Sequence, residues 1–193
     1  MTNPDVDRQG VALLVIDVQR GLLTGDGAMV DADAVIDRIN LVMRRARSAA
    51  VPVILIQHES VGGALAWGSA GWQLSERLDA RPGDLYLRKT ATDSFHNTAL
   101  HQTLGELGVG RLVVCGFQSE FCVDTTTRRA LALGYPVTLV ADGHSTAGNG
   151  LLSAAQISAH HNVTLTNITS FGPRATALPA GDPGLFAAAA RGH

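Results

Sequence analysis

Residues 11–17, VALLVID, are apolar without a break until the closing acid, with no alternation of polar and apolar positions. A strand that reads this way is buried on both faces, as in a parallel sheet with helices on each side. The pattern recurs along the chain. VPVILIQHE (51–59) predicts a second buried strand, Asp84–Arg88 a third, and Leu112–Val114, running into Gly116, a fourth. PVTLVA (136–141) predicts a fifth, and Val163–Asn167 a sixth. Between them lie segments with helical spacing: Val35, Ile36, Ile39, Val42, Met43 and Ala46; then Leu100, Leu104 and Leu107; then Cys122 to Leu133; then Leu151–His160. Strands and helices alternating in this way predict a single-domain, doubly wound (Rossmann-like) three-layer α/β/α fold with a six-stranded, mostly parallel sheet. The whole chain, 1–193, reads as one domain with its core at about 11–170. The tail 171–193, rich in Ala, Pro and Gly, reads as loosely structured.

Composition narrows the class of function. The balance of 15 basic to 17 acidic residues supplies no field for nucleic acid or an anionic membrane, and neither is expected as a partner. The longest apolar runs are strand-sized, well short of the ~20 residues of a membrane span. The N-terminus, MTNPDVDRQG, has no basic segment followed by an apolar one, which predicts no secretory signal. Two cysteines, Cys115 and Cys122, are too few for a disulfide framework, and a reducing cytoplasm is the expected location. No GxGxxG follows the first strand and no GxxxxGK[ST] occurs, so the doubly wound sheet carries no nucleotide signature.

Three polar residues stand just past three predicted strands: Asp17, Lys89 and Cys122. Open α/β sheets place their ligands at the carboxyl ends of the strands, so these side chains can converge in one cleft. A carboxylate can accept a thiol proton, and an ammonium can stabilise the thiolate and hold the carboxylate ionised. Cys122 also stands at the predicted start of a helix, where the dipole and free N–H groups favour thiolate. The same residues equally fit a structural Asp–Lys ion pair beside a buried, inert cysteine.

The motifs LLVIDVQ around Asp17, RKTATDSFHNT around Lys89 and VVCGFQSEFCVDTTTRRALALGYPVTLVADGHST around Cys122 resemble the isochorismatase-like cysteine hydrolases. That family includes nicotinamidases, N-carbamoylsarcosine amidohydrolases and streptothricin hydrolase. The resemblance runs from about Val11 to Asn167. It implies that Cys122 is a nucleophile attacking a carbonyl, Asp17 its base and Lys89 the residue that orients the pair. It also implies a cis peptide at Phe117–Gln118, with the backbone N–H groups of Gln118 and Cys122 as oxyanion hole. A homo-oligomer, dimer or tetramer, is expected on the same ground.

The departures carry information too. Nicotinamidases have a metal-binding Asp-x-His after the second strand, whereas this chain reads Gln57-His58-Glu59, so no metal and no other cofactor is expected. True isochorismatases, as a group, lack the cysteine, and its presence favours hydrolysis at a carbonyl over vinyl-ether cleavage. The motif around Cys122 is most similar to the streptothricin-hydrolase branch. The expected activity is therefore cysteine-dependent hydrolysis of a small amide, lactam or related C–N bond. An isochorismatase-type hydrolase of another metabolite, or a non-catalytic binding member of the fold, is the alternative. Trp67 in the Gly-rich segment 60–81, Phe95 and Phe117 are candidate walls of the substrate pocket, and His144 is expected to serve a hydrogen-bonding structural role.

Overall fold

The computed structural model describes residues 9–187. Six parallel strands form one sheet: β1 (Gly10–Ile16), β2 (Val53–His58), β3 (Leu85–Lys89), β4 (Val109–Phe117), β5 (Val137–Ser145) and β6 (Ala175–Leu178). Their spatial order is β3-β2-β1-β4-β5-β6, the order of a doubly wound sheet. Helices α1 (Ala32–Ser48), α2 (Leu100–Glu106), α3 (Asp124–Ala132) and α4 (Ala154–Thr166) make four of the five connections, and β2 passes to β3 without a helix. The predicted fold class is therefore observed.

Strand β1 shows why this architecture follows from its sequence. Ala12, Leu14 and Ile16 point into a core with Leu100, Leu104, Leu131 and Leu165. Leu13 and Val15 point into the opposite core with Val35, Ile36, Ile39 and Met43 of α1. Both faces are apolar because both are covered.

Chain order reverses between β1 and β4, which creates the crevice where such sheets bind ligands. There β4 presses close to β1. Gly116 has φ +121, and a Cβ on it would stand 2.1 Å from Ile16 O, so only glycine fits.

The sixth strand and the tail correct the sequence reading. Val163–Asn167, predicted as a strand, instead belongs to α4 and its C-cap. That helix is set by a capping box in which Ser153 Oγ accepts from Gln156 N and Gln156 Oε1 accepts from Ser153 N. The actual β6 is the short ATAL segment in the predicted loose tail, paired with β5 from Val137↔Ala175 to Val140↔Leu178. A 3-10 turn at Pro183–Phe186 follows and buries Leu185. Residues 188–193 of that predicted tail lie outside the described residues, as do residues 1–8 of the predicted domain. No described helix is long and apolar enough to cross a membrane.

Candidate active site

Asp17 follows the last residue of β1, where its N–H donates to Ile56 O at 2.8 Å. Its backbone is left-handed, φ 54, a conformation aspartate tolerates better than most residues. Lys89 ends β3 and lies in register with His58 at the end of β2. Paired residues of neighbouring strands share a face of the sheet, so these two side chains meet. Cys122 lies in a π-helical turn, Ser119–Val123, that joins β4 to α3. Within this turn Phe121 N and Val123 N both donate to Gln118 O, and the Phe117–Gln118 peptide is cis.

The three side chains converge. Lys89 Nζ donates to Asp17 Oδ2 at 2.8 Å, to Cys122 Sγ at 3.1 Å and to Ala91 O at 3.1 Å, and lies 3.3 Å from His58 Nδ1. Asp17 and Lys89 are each 1% exposed, and Cys122 is 8% exposed. The second carboxylate oxygen, Asp17 Oδ1, is buried without a hydrogen-bond partner. Asp17 and Cys122 bring a carboxylate oxygen and Sγ within 4.8 Å of each other.

The electrostatics follow from that burial. Burial works against a charged Lys89, but the Asp17 carboxylate and the Cys122 sulfur outweigh it, and its pKa rises above the ordinary lysine value. Burial, then the Asp17 charge, push the Cys122 thiol up to about 12 against the opposing pull of Lys89. Desolvation of the sulfur favours the protonated thiol, a direction opposite to the pull expected of a helix start. Cys115, wholly buried in β4, is likewise held protonated by burial.

His58, the histidine of the Gln57-His58-Glu59 segment, joins this cluster through Lys89. Burial, then the neighbouring Lys89, lower its pKa below the ordinary histidine value. Asp17, His58 and Cys122 offer carboxylate, imidazole and sulfur donors within 4.8 Å of one another, a set with the chemistry of a zinc site. The Lys89 ammonium lies within 3.3 Å of a donor atom of each. Any ion would have to displace it, so the chain supplies the cation of this cluster itself.

Gln19, two residues past Asp17, is a buried residue that strand-end spacing alone does not single out. Its amide donates to His58 O at 2.9 Å and to Trp72 O at 2.8 Å, and its Oε1 accepts from His58 N at 2.9 Å. It ties the end of β2 to the segment 60–81. Its place in the LLVIDVQ motif was the available signal.

The remaining candidates are more scattered. Trp67 is 56% exposed. It stands edge-on to Trp72 with centroids 4.5 Å apart, and carries the Arg88 guanidinium 3.3 Å above its ring. Phe95 packs in the same core as Cys122 and stacks on Tyr135. Phe117 has no exposed surface and belongs to the α1-side core, across the sheet from Cys122.

A model of the isochorismatase domain matches residues 11–170. The chain belongs to the isochorismatase family. Among its relatives, a streptothricin hydrolase of Streptomyces noursei is 40% identical over 136 residues, covering 70% of this chain and 49% of that protein. The chain spans about half the length of the streptothricin hydrolases it matches. A ureidoacrylate amidohydrolase of Caulobacter segnis is 28% identical over 203 residues, covering 86% and 82% of the two chains. A crystal structure of an isochorismatase family protein superposes with a TM-score of 0.79 at 39% identity, covering 87% of this chain and 97% of that one. Two of these family members are named as hydrolases, and the crevice between β1 and β4 holds the cluster described above.

Proposed function

We propose that this isochorismatase-family protein is a cysteine-dependent hydrolase of a C–N bond in a small amide, lactam or ureido compound. The observation that carries the reading is the pairing within one carboxylate. Asp17 Oδ2 is taken by Lys89, Oδ1 is buried without a hydrogen-bond partner, and a carboxylate oxygen of Asp17 lies within 4.8 Å of Cys122 Sγ. The names of the streptothricin hydrolase and ureidoacrylate amidohydrolase relatives support a substrate of this class.

Burial favours the protonated thiol, so the route begins from the thiol. Cys122 gives its proton to Asp17 as sulfur attacks the carbonyl carbon, and Lys89 stabilises the charge forming on Sγ. The tetrahedral oxyanion is received by the backbone N–H groups of Gln118 and Cys122. Collapse breaks the C–N bond, and the leaving nitrogen takes the proton from Asp17. A water molecule then gives a proton to Asp17 while its oxygen attacks the thioester. Expulsion of Cys122 releases the acid, and Asp17 returns the proton to sulfur. Asp17 holds one proton twice per turnover, which is why one of its oxygens must be free of permanent partners.

The test is a panel of amides, lactams and ureido compounds assayed with the protein and with Cys122→Ala. Turnover of at least one compound should fall about a thousandfold or more in the variant, with its circular dichroism and melting temperature unchanged. A folded alanine variant that keeps full turnover, or a protein that turns over none of the panel, overturns the proposal.

A further inference from the structure

Behind the nucleophile turn runs a buried chain of hydrogen bonds that the reaction above does not use. Ser119 Oγ lies 2.8 Å from His144 Nδ1 and 2.9 Å from Ser158 Oγ. His144 Nε2 lies 3.0 Å from Asn162 Oδ1, and Asn162 Nδ2 donates to Ala141 O at 2.9 Å. Ser119 opens the turn that carries Cys122 and follows Gln118, whereas His144 is on β5, and Ser158 and Asn162 are on α4. Ser119 has no exposed surface, and His144 is 3% exposed.

The direction of every bond follows from one fixed end. A carbonyl such as Ala141 O can only accept, so Asn162 presents its NH2 there and turns Oδ1 to His144. Oδ1 also only accepts, so the imidazole proton sits on Nε2. Nδ1 is then a bare acceptor and takes the Ser119 hydroxyl proton, which leaves the Ser119 oxygen to accept from Ser158. The chain has one proton arrangement for a neutral imidazole. Burial lowers the His144 pKa and so favours that form; the groups facing it are Asn162 and His161 on α4 and Asp142 on β5.

We propose that His144 is a positioning residue for the nucleophile, acting through Ser119 to clamp the turn that sets Cys122 Sγ against Lys89. The turn is tied at its first residue to two separate elements, and Cys122 lies three residues further on. The inference rests on Cys122 being the reactive group, but its test needs no substrate. The probe is iodoacetamide, with labelling of Cys122 and Cys115 resolved by peptide mass spectrometry. Cys115, in the core of β4, reports opening of the whole fold and serves as the internal control.

In His144→Leu and Ser119→Ala, Cys122 should be labelled at least about fivefold faster, with Cys115 unchanged. His144→Asn, which keeps an acceptor near the place of Nδ1, should stay within about twofold of the parent protein. On any compound found active in the amide panel, the first two variants should lose kcat about tenfold with KM unaltered. Parallel acceleration at both cysteines, or no change at Cys122 in the folded variants, overturns the proposal. Failure of the amide panel alone leaves the labelling result standing, so the two readings fail separately.

Discussion

Two clusters of opposite charge lie on this sheet and its loops, and they differ in how completely they are satisfied. Near the end of α1, Arg47 donates to both oxygens of Asp84 and to Asp79 Oδ2. Arg81 adds bonds to both oxygens of Asp79 and, through its N–H, to Asp84 Oδ2. All four carboxylate oxygens are paired. In the crevice between β1 and β4, Asp17 is paired through Oδ2 alone and keeps a buried Oδ1 without a partner. A saturated cluster holds loops together. An unsaturated, buried one retains a group able to take a proton, at the cost of desolvation that a purely structural pair would avoid.

The largest effect that would break this comparison is expected at Asp17. Asp17→Asn removes the proposed proton acceptor and should lower the proposed hydrolysis about a thousandfold or more. It also removes a negative charge that helps push the Cys122 thiol up, so alkylation of Cys122 by iodoacetamide should quicken. Slower alkylation together with lost hydrolysis would instead make Asp17 a support for thiolate rather than its base.

A smaller effect separates the clusters by stability. Lys89→Met leaves a buried carboxylate with no counter-charge and should cost about 3–5 kcal/mol in urea unfolding. Arg47→Met leaves Asp84, whose side chain is 3% exposed, with the Arg81 N–H but no counter-charge from Arg47, and should cost about 2 kcal/mol. Only the first should alter Cys122 labelling in protein that remains folded. Equal disturbance of Cys122 by both would erase the distinction.

The smallest effect lies in pH. The folded-state pKa values of His58 and His144 are both below the ordinary 6.5, so the unfolded chain takes up their protons first. The stability they contribute is complete above about pH 6.5 and is lost as pH falls from there toward their folded values. Melting temperature should therefore decline on acidification through this window, and His144→Asn should flatten the decline. A slope that is the same in both proteins would mean that His144 is not held neutral.

Much of this was legible in the chain because local pattern and global burial agree in β1, β2 and β4. Their apolar runs announced strands covered on both faces, and Asp17 just past the first marked the edge where a site could form. Agreement failed at two kinds of place. The alternating, β-branched VTLTN at 163–167 has strand propensity, but it continues a helix begun by the Ser153–Gln156 capping box. ATAL at 175–178 has little propensity of its own and becomes a strand only because β5 offers it an open edge.

For the site, the sequence by itself determined which acid, amine and thiol end which strands, since that depends on the order of residues along the chain. Tertiary structure decided the direction in which the thiol pKa moves, because burial is a property of the assembled crevice. It decided the entry of His58 through the in-register pairing of β2 with β3. It also decided which oxygen of Asp17 remains free. Proximity between strands and the loss of water are collective outcomes, and neither is written in the spacing of the residues they bring together.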